Sequence, residues 1–208
     1  MGRINWKENQ IVSIQLKDGN HALFQMLSIK GWIAVFNAFD FNDKWEGINL
    51  TEDSILFKNF IISKTIFPKS KTVIHKNIEP VKNIVIPEIK INTGTESRKI
   101  KVWENTPKED ELIIIGGGNN LLKIENPNDK FNPEYRPIEI KDYDEVKQYE
   151  LENLRIYPEF NERLWLCSRL KMNIDPLKEL AFNRKLDPLC EDYIKIIGGK
   201  TKLEELGY

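Results

Sequence analysis

The chain has 208 residues, with 31 lysines and arginines against 32 aspartates and glutamates, two histidines and a hydrophobic fraction of 40%. A chain of this length builds its own hydrophobic core, because folding removes roughly 70% of its extended surface from water without the help of a metal or a disulfide. The net charge of -1 lacks the basic surplus with which proteins neutralise phosphates. Nonspecific nucleic-acid binding is therefore not expected.

The cysteines and the chain start indicate the compartment. Cys167 and Cys190 lie in the apolar surroundings LWLCSRL and DPLCEDY, which are typical of buried, reduced thiols. No stretch approaches the ~20 apolar residues of a transmembrane helix, and the start MGRINWKENQ lacks the apolar run of a signal peptide. We expect a cytoplasmic protein that does not bind a membrane.

Short apolar runs punctuated by Gly, Asn, Asp and Pro predict strands up to residue 140. IVSIQL (11–16) and HALFQMLS (21–28) flank Asp18-Gly19, and an Asp-Gly pair between apolar runs is the strongest local signal for a β-hairpin. Because proline cannot donate to a ladder, we place Pro80 and Pro87 at sheet edges or bulges. The remaining predicted strands are 32–39, 54–62, 71–76, 82–91, 98–103, 110–116 and 135–140.

Beyond residue 140 the apolar residues acquire helical spacing, which divides the chain into a β-rich domain (1–140) and a helical C-terminal segment packed on it (141–208). The predicted helices are one from Val146 to Leu154, a second from Phe160 to Leu170, and two that start at Asp175-Pro176 and Asp187-Pro188. The predicted fold class is α+β: a mainly antiparallel, barrel-like or strongly twisted sheet followed by helices.

Candidate catalytic and metal-binding groups are few. His21 and His75 are 54 positions apart, and no CxxC or HxxxH pair is present to fix a tetrahedral metal. We therefore expect neither a metal nor a cofactor. A nucleophile and a carboxylate could still be assembled around either histidine, so a small hydrolase is kept as an alternative.

The glycine run Gly116-Gly117-Gly118 follows the apolar strand LIII, as a phosphate-binding loop would. It lacks the Lys-Ser/Thr pair of a P-loop and the glycine spacing of a dinucleotide fingerprint. Asn119-Asn120 leads instead into the strand-like LLKIE. We predict a hairpin loop in which the glycines adopt positive φ angles.

The five tryptophans are spread over different segments rather than interleaved with lysine or arginine, so most are predicted to pack in the core. Trp45, in the polar loop FNDKWEG, is the best candidate for an exposed ring that anchors a partner. Exposed aromatic rings on a barrel would also suit single-stranded nucleic acid, which is a further alternative.

Acidic residues are concentrated in residues 139–162, which hold eight carboxylates against three basic side chains. The ordinary explanation is a solvated helix face. The alternative is a surface that imitates phosphate and meets a basic partner, because opposite charges speed encounter. The carboxylates are Glu139, Asp142, Asp144, Glu145, Glu150, Glu152, Glu159 and Glu162.

The string NQIVSIQLKDGNHALFQMLSIKGWIAVF, followed by ILFKNFIISKTI, resembles the opening of the bacterial immunity protein 26 family. The matching positions are Ile11, Val12, Ile14, Leu16, Asp18, Gly19, Ala22 and Gln25. Gln15 replaces a common proline, His21 a common aromatic residue and Phe24 a common glycine.

The resemblance implies an immunity protein of a polymorphic toxin system, which neutralises a cognate toxin by stoichiometric binding and is not an enzyme. No catalytic residue is carried over. The sequence does not specify the oligomeric state. From the acidic residues and the candidate ring, we expect the toxin at Asp142, Asp144, Glu145, Glu150, Glu152 and Trp45.

Overall fold

The computed structural model describes residues 4–118, 121–126 and 133–208. Contacts divide the chain into two compact units. Unit 1 consists of Met1–Ile86, Leu154–Ile174 and Leu203–Tyr208, and unit 2 of Pro87–Asn153 and Asp175–Lys202. Apart from short helical turns such as Ser63–Ile66, the boundary at residue 140 separates strands from helices along the described chain, but it does not coincide with a boundary between these units. Each unit combines strands from the first part with helices from the second.

Unit 1 contains β1 (Ile11–Gln15), β2 (His21–Met26), β3 (Trp32–Asp40), β4 (Ile55–Phe60) and β5 (Thr72–His75). They form an antiparallel sheet in the order β4-β3-β2-β1-β5. The predicted β1–β2 hairpin is confirmed, with Ile11 opposite Gln25 and Gln15 opposite His21. Gly19 turns the chain at a φ of 86°, which glycine adopts without strain.

Both faces of β1 and β2, in the middle of this sheet, are buried, which explains why these strands are nearly continuous apolar runs. Helix α3 (Glu159–Leu170) packs on one face, where Phe160, Leu164 and Cys167 meet the strands. A short helix α1 (Ser63–Ile66) also contributes to that core. On the other face, the loop after β3 closes a second apolar cluster made of Ile11, Leu23, Phe36, Trp45 and Ile78.

Unit 2 contains two smaller antiparallel sheets. Strands β6 (Ile89–Asn92), β9 (Leu121–Glu125) and β10 (Glu134–Ile138) form one in the order β10-β9-β6, and β7 (Ser97–Val102) and β8 (Asp110–Ile115) form a two-stranded ribbon. The helices are α2 (Tyr143–Val146), α4 (Pro176–Ala181) and α5 (Glu191–Gly198). The core of the unit joins Ile91, Leu121, Ile138, Val146, Leu151, Ala181 and Phe182.

Helix α3 and the two Asp-Pro start signals are confirmed. Asp187 accepts a hydrogen bond from the Leu189 amide at the turn that leads into α5, and Gly199 ends that helix in a left-handed conformation. The helix predicted from Val146 to Leu154 is wrong. After one turn in α2 the chain becomes extended, and Ile91 exchanges backbone hydrogen bonds with Glu150 and Glu152. This pairing satisfies the backbone and buries Leu151.

The predicted strand 82–91 is largely wrong, since only its end forms β6. Pro80 and Pro87 lie outside the strands. Gly116–Gly118 have the predicted positive φ angles, but the hairpin is wrong because β8 and β9 belong to different sheets. Asn119-Asn120, predicted to lead into the next strand, lies outside the described residues.

The α+β class is confirmed, and of its two forms the twisted sheet fits: across the described ranges the sheets stay open and none closes into a barrel. The same part of the chain has no helix with both the length and the apolar character needed to cross a membrane.

Candidate partner-binding surfaces

The acidic segment begins with a tight turn that its own side chains stabilise. Glu139 precedes a 3₁₀ turn over Ile140–Asp142, and its backbone amide donates to the Asp142 carboxylate at 2.7 Å. Helix α2 follows directly, with Asp144 and Glu145 in its first turn. Acids at this position interact favourably with the exposed amides of a helix start. The local structure therefore explains part of the acidic composition.

Three of these exposed acids have basic neighbours. Lys141 lies 2.9 Å from Glu139, Lys147 lies 3.1 Å from Asp144, and Arg136 on β10 binds Glu145. The carboxylates raise the pKa of Arg136 and that of Lys141. The side chains of Asp144 and Glu145 nevertheless remain 86% and 56% exposed. Asp144 and Glu145, with the half-buried Asp142 beside them, thus form an accessible but partly compensated acidic patch.

The predicted acidic tract is not one surface. Glu159 and Glu162 belong to unit 1, whereas the acids from Glu139 to Glu152 belong to unit 2. Glu150, Glu159 and Glu162 are buried, and Glu162 is 0% exposed. Glu159 binds Arg155, and Glu162 binds Lys17. The expectation that these three acids contribute surface charge is wrong, because the protein buries them.

Glu152 is the remaining acid of the predicted site. It is exposed and accepts a hydrogen bond from the Asn92 side chain at 2.9 Å. Since Asn92 ends β6, this contact fastens the extended segment after α2 to the sheet. Its carboxylate is therefore accessible to solvent while it also supports local structure.

The expected exposure of Trp45 is wrong. The side chain belongs to the apolar cluster on the second face of the sheet, and the residue is 7% exposed. Its indole N–H donates to Asp43 at 2.7 Å, and its ring meets the His75 ring edge-on at 6.3 Å between centroids. A polar loop can bury a tryptophan in this way because a neighbouring carboxylate satisfies its polar atom. The other tryptophans are buried or half-buried.

His75 lies in a small polar cluster beneath this tryptophan. Its Nε2 is 2.9 Å from the Ser13 hydroxyl and 3.3 Å from the Asp43 carboxylate. A hydrolytic triad would place the serine and the carboxylate on opposite ring nitrogens. Here both approach the same nitrogen, and Ser13 is 0% exposed. This arrangement holds the loop after β3 against the sheet.

His21 makes a different contact. Its Nδ1 lies 3.2 Å from the Asp40 carbonyl, at the end of β3. Burial lowers the pKa of His75, Asp43 opposes that effect, and the His21 charge adds to the lowering.

In the described ranges, no group of three or more His, Cys, Asp and Glu side chains is arranged to hold a metal. Cys167 and Cys190 are buried thiols, as predicted.

The two-stranded ribbon in unit 2 has two chemically different faces. Leu112 and Ile114 of β8 are buried, whereas Ile113 and Ile115 are 65% and 70% exposed. Ile113 stands opposite Lys99 and Ile115 opposite Ser97, so the exposed face continues across β7. The sequence DELIIIG does not predict this exposed face, because three consecutive isoleucines indicate a strand that is buried on both faces.

The Gly116–Gly118 segment has a packing function. Gly117 lies so close to α4 that a Cβ there would be 2.8 Å from the Ala181 Cα. Arg98 reinforces this contact, because its guanidinium donates to the carbonyls of Gly116, Leu180 and Ala181. Burial lowers the pKa of Arg98. The glycine-rich segment thus fixes a helix end in place.

A cavity of about 210 Å³ lies elsewhere in unit 2, between the β7–β8 connection and α5. Trp103 lines it together with Lys108, Glu191 and Lys195. Glu191 binds both lysines, which lower the pKa of its carboxyl to about 2. The charged groups at this cavity therefore neutralise one another.

Comparison with known proteins gives one match. No curated protein and no solved structure is similar to the chain at a significant level. A family model described as a domain of unknown function, DUF8309, matches residues 1–186. This range includes every strand, helices α1 to α4 and both candidate surfaces of unit 2. The chain belongs to the DUF8309 family.

Proposed function

We propose that the protein is an immunity protein that neutralises a cognate bacterial toxin by stoichiometric binding. The observation that carries this proposal is the exposed pair Ile113 and Ile115 on the β7–β8 ribbon. Two neighbouring isoleucines on one strand face are costly to leave in water, and such surfaces mark protein interaction sites. A partner that covers them would bury apolar area at the centre of its contact.

The surroundings of this pair suit the periphery of a protein interface. Lys99 lies 3.3 Å from Glu111, and Lys101 lies 3.9 Å from Glu109. Protein interfaces commonly combine an apolar centre with a polar, solvated periphery. Exposed ion pairs of this kind contribute little to folding stability, so they are free to rearrange around a partner.

The proposed class of partner rests on the sequence resemblance of the first strands of the chain. The resemblance to immunity protein 26 covers the β1–β2 hairpin, β3 and β4, and it supports a toxin as the partner and the bacterial cytoplasm as the compartment. Two buried thiols suit such a reducing compartment. Asp142, Asp144 and Glu145 would accelerate the encounter with a basic toxin.

The test is co-expression with the toxin encoded next to this gene. The wild-type chain should protect the cell, and purified protein should inhibit the toxin fully at one equivalent. Ile113→Asp together with Ile115→Asp should abolish protection. Val85→Asp is the matched control, because Val85 is 60% exposed but lies in unit 1, and this variant should still protect.

Three outcomes would contradict the proposal. The first is no protection by the wild-type chain, and the second is equal protection by the isoleucine double variant when its thermal midpoint is unchanged. The third is full inactivation of the toxin at far less than one equivalent, since that would indicate catalytic turnover and favour a hydrolase.

A further inference from the structure

The end of the unit 1 sheet presents an open strand edge. Among the described residues, β5 is the terminal strand of the order β4-β3-β2-β1-β5. The Gln15 amide donates to the Lys71 carbonyl at 2.9 Å, and the register continues with Val73 opposite Ser13 and His75 opposite Ile11. In an antiparallel pair, the residues between such partners direct their N–H and C=O groups outward. Thr72 and Ile74 therefore offer theirs to a further strand.

The side chains on this edge are apolar and accessible. Val73 is 47% exposed and Ile74 is 38% exposed, on opposite faces of β5. An added strand would cover both side chains while it bonded the outward backbone groups of Thr72 and Ile74. Edge strands with this combination accept extended peptides, with backbone bonds supplying affinity and side-chain contacts supplying specificity.

The charge around β5 determines which kind of strand can bind at this edge. Residues 64 to 78 include four lysines and no acidic residue. All four lysines are exposed, and they are Lys64, Lys69, Lys71 and Lys76. A second copy of this chain is a poor occupant, because pairing two β5 edges would bring lysines against lysines. An acidic segment would instead meet opposite charge at both ends of the strand.

We propose that the outer edge of β5 binds an extended acidic segment of a partner protein as a sixth strand. The segment would place apolar residues beside Val73 and Ile74, and carboxylates near Lys71 and Lys76. This surface uses residues distinct from the isoleucine pair and from the acidic patch, so the inference goes beyond the proposed function. It is tested on the purified chain without a toxin.

The probe is the blocked peptide EEVTVTVEE, with KKVTVTVKK as the charge-reversed control. The acidic peptide should slow amide hydrogen exchange at Thr72 and Ile74 by at least about 10-fold at saturation, because those amides become bonded. The lysine peptide should leave both rates unchanged. This readout reports strand addition and not charge attraction alone.

Two variants make the test specific. Ile74→Pro removes an outward N–H but keeps the backbone hydrogen bonds between β5 and β1. It should lower the affinity of the acidic peptide by about 10-fold or more. Lys71→Glu with Lys76→Glu should reverse the preference, so that the lysine peptide protects the amide of Ile74. Lys185→Glu with Lys202→Glu, on exposed lysines of unit 2, is the control and should leave the preference for the acidic peptide unchanged.

If Ile74→Pro lowers the thermal midpoint, its effect on peptide binding could arise from unfolding, and the charge-reversal variant then provides the test. Equal protection by both peptides, an unchanged preference after charge reversal, or no protection by the acidic peptide would overturn the proposal. Stronger protection of the two amides by a single-stranded oligonucleotide than by the acidic peptide would also overturn it. None of these outcomes depends on whether the chain inhibits a toxin.

Discussion

Lys17 in the turn of the β1–β2 hairpin donates to Glu162 of helix α3 at 3.0 Å, across a separation of 145 positions. Glu162 is 0% exposed and also accepts from the Tyr208 hydroxyl at 2.6 Å. The Lys17 ammonium lies 4.0 Å from the centre of the Trp165 ring. The hairpin turn is therefore fixed to the helix that covers its own sheet.

Replacing Lys17 with Met should destabilise the protein by about 3 kcal/mol, because a buried carboxylate loses its compensating charge. Lys99→Met is the matched control. Lys99 is also paired with a glutamate, but both side chains are exposed, so its loss should cost less than about 1 kcal/mol. Urea denaturation measures both values. Equal losses would show that the buried pair contributes no more than an exposed one.

Gly117→Ala should be strongly destabilising for two reasons. Its φ of 89° is unfavourable for alanine, and the new Cβ would approach the Cα of Ala181 to 2.8 Å and the Arg98 guanidinium to 2.7 Å. We expect a loss of about 3 kcal/mol, since strain and overpacking combine.

Gly47→Ala separates these two effects. Gly47 has a φ of 71°, but an added Cβ would meet nothing within 4 Å, so only the backbone strain of about 1 kcal/mol should be observed. Thermal unfolding of the two variants gives the comparison. A loss for Gly117→Ala no larger than that for Gly47→Ala would mean that α4 moves aside at little cost.

Local signals account for the parts of the fold that the sequence predicts. The Asp18-Gly19 pair specifies a turn through the positive φ of Gly19 and an Asp18 carboxylate that accepts from the Asn20 amide. Asp187-Pro188 specifies the start of a helix in an equally local way, because the Asp187 carboxylate accepts from the Leu189 amide. The helix expected from Val146 fails because its competitor is distant in sequence. Ile91 provides backbone partners for the extended form, and no local pattern near Val146 reveals them.

The candidate site is predictable only where its residues act without distant partners. Asp144 and Glu145 are exposed acids at a helix start, as composition suggests. Glu162 resembles them in the sequence, but Lys17 makes its burial possible. Trp45 is a similar case, because its contacts with His75 and Asp43 turn a polar loop inward. Distant residues therefore contribute to the burial of both, Lys17 for Glu162 and His75 for Trp45.

Acid should weaken the attachment of the Trp45 loop to the sheet. Burial lowers the pKa of His75 below its unfolded value of about 6.5, so the native state binds fewer protons than the unfolded state. The stability that neutral His75 provides is thus complete above that pH and declines as the pH falls below it. The thermal midpoint should fall between about pH 7 and pH 5.

His75→Gln removes the titrating group while keeping a polar side chain toward Ser13, so part of this pH dependence should disappear. His21→Gln is the control for the other histidine and should retain most of it. Trp45 fluorescence, compared with a Trp45→Phe reference, reports whether the loop loosens first. An unchanged pH profile in His75→Gln would assign the acid sensitivity to other groups.

The acidic patch should steer a basic toxin toward the protein. Asp142→Asn, Asp144→Asn and Glu145→Gln together remove three negative charges while preserving the side-chain sizes, and Asn can still accept from the Glu139 amide. The association rate should fall severalfold at low salt, and its dependence on ionic strength should flatten, because long-range attraction is screened by salt. The dissociation rate should change little.

Glu46→Gln, Glu204→Gln and Glu205→Gln form the matched control, since they remove the same charge from exposed positions in unit 1. Stopped-flow association with the toxin, measured over a range of salt concentrations, compares the two triple variants. If only the net charge matters, both will slow association equally. If the patch itself guides the toxin, the control will stay close to wild type while the patch variant slows. Identical rates for wild type and patch variant at low salt would leave Asp142, Asp144 and Glu145 as an ordinary solvated helix start.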